Sequence, residues 1–297
     1  MITLYNADIF QDLDNKIPNS SVDLILTDPP YMIGYGNYEW DSYDFVSFTE
    51  AWLELVLKKL KSNGTLWSFM SKDNAFTHQF CSKGFVNMLQ KYGEVDLNNW
   101  TVWARPKGRG SGKHLKSVRE EIFHFVKDKN NFTWNNLKML REVIAPYVKD
   151  GKPRGWFLGD DGKRVRWTGL GNVCTYSAPQ FNGISEKQFH PSQKPVMLME
   201  RLIRLSSNAG DIVLDPFMGS GTTAIACLLS NRNFIGFEKN ADYFDFASKR
   251  VKEFDIINYP GYNLSTDKEI LKRMSETSLP NRTKMHILGN IPRDLFE

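Results

Sequence analysis

The chain has 297 residues, 41% of them hydrophobic and 24% charged, enough for one large domain or one domain with a small insert. No apolar run reaches membrane-spanning length, and the first residues lack the basic-then-apolar pattern of a secretory signal. Cys81, Cys174 and Cys227 are too scattered for a disulfide framework or a zinc site, so a reducing cytoplasm with no metal is expected, and a net charge of +4 names no partner by itself.

In chain order, Val22–Asp28 is an apolar, β-branched run and predicts a buried strand. Phe45–Lys61 predicts a helix, with Trp52, Leu53, Val56, Leu57 and Leu60 along one face. A strand is expected at Gly64–Met70, a helix around Asn74–Lys91, and strands at Trp100–Ala104 and Glu121–Lys127. Phe132–Gln188 breaks this alternation; it is rich in Trp, Gly, Lys and Arg and reads as an irregular insert. Alternation resumes with a helix at Pro195–Ser207, a strand at Ile212–Asp215, a helix at Gly221–Leu229, a strand at Phe234–Glu238 and a helix at Ala241–Phe254. Such alternation predicts an α/β domain with a largely parallel sheet. The tail after Asp255 is polar and poorly patterned, and no role is read from it.

Charge is unevenly placed. From Arg105 to Arg119 the cations Arg105, Lys107, Arg109, Lys113, Lys116 and Arg119 are interrupted by no acid, while Gly108, Gly110 and Gly112 loosen the backbone. A solvated loop and a phosphate-contacting loop are both consistent with this stretch.

Two motifs carry chemistry. Asp28-Pro29-Pro30-Tyr31 directly follows a buried strand, where ligands of open parallel sheets bind. A strand-ending turn would explain the prolines. They also stiffen the backbone and remove two N–H donors, leaving an acceptor-rich edge made of the Asp28 carboxylate and the Pro29 carbonyl. An exocyclic amino group has two N–H donors to satisfy and a lone pair delocalised into its ring. Two acceptors help it pyramidalise and become nucleophilic, and Tyr31 offers a flat face for stacking.

The second motif runs from Asp215 through Pro216, Phe217, Met218, Gly219, Ser220, Gly221 and Thr222 to Thr223, between a strand and a helix. Its glycines permit close approach to the backbone. A phosphate-cradling loop would need a lysine ahead of its final serine or threonine, and none is present. Gly219, Gly221 and Ala224 do satisfy the short dinucleotide spacing, and Glu238 ends the next strand, where an acid suits ribose hydroxyls. An adenosyl cofactor fits these features as well as a dinucleotide.

Taken together, these motifs resemble those of the amino-type DNA methyltransferases. The catalytic motif precedes the cofactor motif, as in the circularly permuted beta class. His190-Pro191-Ser192-Gln193-Lys194-Pro195 resembles a box of that family, with Ser192 in place of threonine, and Asn6-Ala7-Asp8 resembles its acidic cofactor-holding turn. Arg166–Val173 is a looser match to a further stretch. The resemblance implies a Rossmann-like methyltransferase fold with a mixed, mostly parallel seven-stranded sheet. Residues 1–131 and 189–254 would interleave in one catalytic domain, 132–188 would be a target-recognition insert, and 255–297 a C-terminal extension.

It further implies S-adenosyl-L-methionine as cofactor. Asp28, Pro29, Pro30 and Tyr31 would be catalytic. Asp8, Asp215, Phe217, Gly219, Ser220, Gly221, Thr222, Glu238, His190, Ser192 and Lys194 would hold the cofactor. Arg105, Lys107, Arg109, Lys113, Arg164 and Arg166 would contact DNA, most simply double-stranded, and a cognate restriction endonuclease and a homodimer are possible partners. Adenine N6 is the expected target, because the family associates Asp at the first motif position mostly with adenine and Ser mostly with cytosine N4. Rival readings are a cytosine-N4 enzyme, an RNA or protein-amide methyltransferase, and an inactive DNA-binding module. Cytosine C5 chemistry would need a Pro-Cys pair, whereas the cysteines here follow Phe80, Val173 and Ala226.

Overall fold

The computed structural model describes residues 1–31, 44–71, 95–109, 113, 117–144, 147–150, 152–159, 162–176 and 192–255. The expected helix at 74–91, the tail from 256 and His190 lie outside the described residues.

The main sheet is built from β1 (Ile2–Asn6), β2 (Val22–Thr27), β3 (Leu60–Met70), β4 (Asp96–Arg109), β5 (Ser117–Val126), β11 (Val173–Thr175), β12 (Ile212–Asp215) and β13 (Asn233–Glu238). Their order across the sheet is β1-β13-β12-β2-β3-β5-β4-β11. Only β5 runs antiparallel to its neighbours. β12 and β13, from the second half of the chain, separate β1 from β2. The sheet has eight strands, one more than expected. The extra one, β11, comes from the stretch read as an irregular insert and pairs with β4 at the edge.

Both faces of the sheet are covered, which is why β2 reads as a nearly unbroken apolar run. Alternation along the strand decides which core each side chain enters. Ile25, with Leu66 of β3, joins Ile9 and Leu13 of α1 (Ile9–Lys16) and Trp52, Leu53 and Val56 of α2 (Phe45–Leu57). On the opposite face, Leu24 and Leu26, with Trp67 and Phe69, meet α3 (Val196–Ser206) and α4 (Thr222–Leu229). The last helix, α5 (Ala241–Lys252), adds Ala247 to that second core. Helix entries follow ordinary capping chemistry. Asp8 accepts from the Phe10 N–H at 3.0 Å, Asp44 from Ser47 at 2.9 Å, and Asn240 from Tyr243 at 3.1 Å.

Several boundaries differ from the sequence expectation. α2 stops at Leu57, and Leu60 enters β3 opposite Val22. Leu60 sits at helical spacing from Val56 and is buried in the same core, so periodicity could not separate the two states. β4 and β5 extend past their expected ends, and Arg109 pairs with Ser117. Lys107 and Arg109 therefore belong to the end of β4 rather than to an open loop. The insert also contains order of its own: β6 (Lys138–Glu142), β9 (Phe157–Leu158) and β10 (Arg164–Gly169) form a small sheet, and β7 (Val148–Lys149) pairs with β8 (Lys152–Pro153). Among the described residues no helix is long and apolar enough to cross a membrane.

Gly236, in β13, shows how tightly the loop after β12 is pressed onto the sheet. A Cβ there would lie 2.5 Å from the Phe234 ring and 2.6 Å from the Met218 sulfur. Gly236→Ala is expected to lower stability by about 1–3 kcal/mol through overpacking, read as a reduced urea midpoint with an unchanged slope.

Candidate active site

Four acidic residues stand at the carboxyl ends of four adjacent parallel strands. Asp8 follows β1, Glu238 ends β13, Asp215 ends β12 and Asp28 follows β2. Sheet order, not proximity in sequence, aligns them, and this edge is where open α/β sheets bind ligands.

Between β12 and α4 the backbone turns through Gly219 (φ 50°) and Gly221 (φ 74°), a region that disfavours side chains. A Cβ on Gly221 would also press on Ala247 at 3.1 Å. The loop is pinned over the end of β13: the Met218 N–H donates to the Phe237 carbonyl at 2.9 Å, and the Gly219 N–H to Glu238 Oε2 at 3.0 Å. Glu238 Oε1 accepts from the Asn240 N–H at 2.8 Å. Burial pushes the Glu238 carboxyl up, against the pull of these N–H donors. Asp8 lies within 3.4 Å of the Lys239 ammonium. Ser220 and Thr222 share a hydroxyl hydrogen bond at 3.1 Å, and Arg250 donates to the Ser220 carbonyl at 2.9 Å. Phe217 packs edge-on against Trp52, with ring centroids 5.8 Å apart.

Asp215 joins this loop to the end of β2, where the Asp28–Tyr31 motif begins. Oδ1 accepts from the Thr27 hydroxyl at 3.0 Å and the Phe217 N–H at 3.1 Å, while Oδ2 accepts from the Thr223 hydroxyl at 2.5 Å. Thr27 immediately precedes Asp28.

Around Asp28 the structure assembles a compact charged cluster. Asp28 Oδ1 accepts from the Tyr31 hydroxyl at 2.6 Å, and Oδ2 from the Lys194 ammonium at 2.5 Å. Lys194 also lies 3.3 Å from Oε2 of Glu120, whose Oε1 pairs with Arg105 at 3.2 Å. The rings of Phe69 and Tyr31 face the ammonium at 5.3 and 5.5 Å, within cation–π range. Burial raises the Asp28 carboxyl despite Lys194. Burial alone would lower Lys194, yet Asp28 and Glu120 together carry it above its ordinary value, so it is a cation here. Burial, reinforced by both carboxylates, pushes the Tyr31 phenol well up and keeps it a neutral donor.

The sequence-derived residues thus separate into two neighbouring groups. Asp8, Asp215, Phe217, Gly219, Ser220, Gly221, Thr222 and Glu238 line the loop side, and Asp28, Pro29, Pro30 and Tyr31 the β2 side. Lys194, expected with the cofactor residues, has its ammonium on Asp28 and Glu120 instead; Ser192 lies two residues before it and contributes its carbonyl at 3.5 Å. Arg105, expected on phosphates, is instead turned inward onto Glu120, with its side chain 22% exposed. Lys113 is exposed, and Arg164 and Arg166 are exposed on β10 either side of buried Val165. Glu120 was missed; the signal for it was an adjacent acid pair, Glu120-Glu121, opening an otherwise apolar strand.

The donor set suits a nucleoside-bearing ligand: an acid for vicinal hydroxyls, backbone without Cβ where a ligand must come close, and a separate acceptor cluster one strand away. A DNA methylase family model matches residues 22–249. The chain belongs to this family of DNA methylases. It is similar to the Type II methyltransferase M1.MboII of Moraxella bovis, 34% identical over 272 residues that cover 85% of this chain and 97% of that one. It is also similar to the DNA adenine methyltransferase YhdJ of Escherichia coli (strain K12), 31% identical over 306 residues, covering 99% and 94%. Among solved structures, the M1.HpyAVI–SAM complex aligns over 84% of this chain and 100% of that one, with TM-score 0.53 and 27% identity. The cytosine-N4-specific PvuII DNA methyltransferase aligns over 98% and 93%, with TM-score 0.57, but at 17% identity it shares the fold alone.

Burial raises the Asp215 carboxyl from its ordinary 3.8 to about 7, against the hydroxyl and N–H donors around it. The folded chain therefore binds a proton that the unfolded chain releases above about pH 4. This contribution to stability is complete below that pH and is lost as pH rises through about 7. Melting temperatures of wild type and Asp215→Asn from pH 4 to 8 should show the wild type losing stability relative to the variant as pH rises.

Proposed function

We propose that this DNA methylase transfers a methyl group from S-adenosylmethionine to the N6 amino group of an adenine swung out of a DNA duplex, as a permuted, beta-class member of its family. The observation that carries the reading is the side-by-side placement of the Asp28 cluster and the Asp215–Thr223 loop on neighbouring strand ends. The M1.HpyAVI–SAM complex supports the same cofactor here.

Bound S-adenosylmethionine supplies an electrophilic methyl group on a sulfonium sulfur. Glu238 would receive the ribose hydroxyls, Asp8, Asp215, Phe217, Gly219, Ser220, Gly221 and Thr222 would hold the rest of the cofactor, and Ser192 and His190 are assigned to it on sequence grounds alone. Base extrusion costs about a few kcal/mol, and stacking on Tyr31 offsets ~1–3 kcal/mol of it. The Asp28 carboxylate and the Pro29 carbonyl accept the two amino N–H groups and draw the nitrogen out of conjugation. Asp28 would take the surplus proton of the amino nitrogen, and the sulfonium would supply the methyl group and keep the carbon–sulfur electron pair. No enzyme-bound covalent intermediate is needed.

Asp at the first motif position and the adenine-type name of the YhdJ relative favour adenine over cytosine N4. A companion restriction endonuclease suits the Type II relatives. Tritium transfer from labelled cofactor to DNA distinguishes this enzyme from a binding module. Asp28→Ala is expected to reduce kcat by roughly 10²–10⁴-fold. Cofactor affinity, measured by calorimetry, should fall far less; near-normal turnover by the folded variant refutes the assignment.

Lys107, Arg109 and Lys113 at the tip of the β4–β5 hairpin are assigned to phosphates, and Arg164 and Arg166 on β10 to base edges. Neutralising the three hairpin cations should shrink the log–log salt slope of DNA binding by about 0.9 per lost contact, for cognate and random duplexes alike. Removing Arg164 or Arg166 should leave that slope nearly intact and cost roughly 1–3 kcal/mol of discrimination. If the hairpin variant changes which sequence is methylated and the β10 variants do not, the assignment is reversed.

A further inference from the structure

Both oxygens of Asp28 already accept hydrogen bonds from side chains, and one of the donors is a cation. The Lys194 ammonium on Oδ2 stands in the way an incoming amino N–H would. Lys194 has little solvent to retreat into, because its side chain is only 6% exposed. A buried ammonium stripped of its carboxylate is strongly disfavoured. The target amino group, a neutral donor, could not displace it unless a second anion stood close by.

Glu120 is that anion. It reaches the site from β5, the antiparallel strand of the main sheet, and its Oε2 already lies 3.3 Å from the Lys194 ammonium. Arg105 holds the other oxygen at 3.2 Å and so keeps Oε2 turned toward the lysine. The flanking rings of Phe69 and Tyr31 give the ammonium a favourable surface between the two carboxylates.

We infer that Lys194 occupies, before the base enters, the acceptor seat on Asp28 that the target amino group takes, and that Glu120 receives Lys194 when the base arrives. Glu120 is on this account a positioning residue: it touches no reacting atom but determines whether Asp28 is available. Lys194 holds Asp28 aimed while the pocket lacks a base. Its transfer to Glu120 then leaves Asp28 with an open acceptor and a stronger pull on the amino proton. The inference rests on the reading of Asp28 as the amino-group acceptor.

Glu120→Gln keeps the shape of the side chain and removes its charge, leaving Lys194 on Asp28. Expected are a kcat lower by about tenfold or more, with cofactor affinity and melting temperature close to wild type. Adding Lys194→Met to that background removes the competitor and should raise kcat at least about threefold over Glu120→Gln alone. Glu120→Asp, which keeps the charge, should retain most of the wild-type kcat. Wild-type kcat in Glu120→Gln, or no gain in the double variant, overturns the inference.

Asp28→Ala, assayed in parallel, separates the two claims. Full activity there removes the acceptor reading and this inference with it, whereas an inactive Asp28→Ala beside a fully active Glu120→Gln removes the inference alone. A crystal structure of wild type with an unreactive cofactor analogue and target duplex provides a check independent of any variant. Lys194 Nζ should sit closer to Glu120 than to Asp28, and an ammonium still seated on Asp28 beside a flipped base contradicts the exchange.

Discussion

One hydrogen bond joins the two halves of the site: the Thr27 hydroxyl donates to Asp215 at 3.0 Å. Thr27 ends β2 and Asp215 ends β12, strands paired in parallel register but far apart in the chain. Asp28 is the residue after Thr27, so the donor that ties the strands together also sets where the Asp-Pro-Pro-Tyr motif begins. The same carboxylate receives the Phe217 N–H and the Thr223 hydroxyl, anchoring the first turn of the glycine loop and the start of α4. In a low-dielectric interior, a polar centre satisfied on every side is rigid, because each lost partner leaves an expensive orphan. One buried acid thereby holds the loop and the acceptor edge in a fixed relation.

Around this anchor the electrostatics divide by depth. Glu238 and Asp8 lie where hydroxyl and amide donors can reach them, and their partners are backbone N–H groups and the ammonium of Lys239. On the other side, Asp28 and Glu120 are balanced by Lys194 and Arg105, two acids against two bases in a partly buried patch. Such a patch holds charge without a large net field. A neutral amino group can then be bound by donation to an acceptor rather than by attraction to bulk charge.

Much of this was legible in the chain. β2, β12 and β13 are runs of apolar and β-branched residues, and each ends on or beside the acid it presents, so motif and position could be read together. Both motifs sit at neighbouring strand ends of one sheet. What escaped the reading was non-local. Nothing near Glu120 in sequence announces Lys194, and a run of cations suggested that Arg105 faces solvent when a long-range carboxylate turns it inward. The glycines from Gly108 to Gly112 signalled a loop, yet ladder pairing carries β4 out to Arg109. β11, three residues long, is too short for periodicity to register and exists because β4 offers it an edge.

The interleaved strand order also bears on how the chain becomes folded. Among the described residues β1 sits at the edge of the sheet, and its one strand partner is β13, which ends at Glu238. During synthesis β1 therefore waits for this partner until β13 has left the ribosome. Contacts of such long sequence separation require loop closure before they return any energy, which makes assembly slow. The waiting β1 segment, apolar and β-prone, is exposed to pairing with other chains throughout that interval. Completion of β13 pairs β1 and, in the same event, brings Glu238 beside Asp8, so that these two acids come together only when β1 has found its partner.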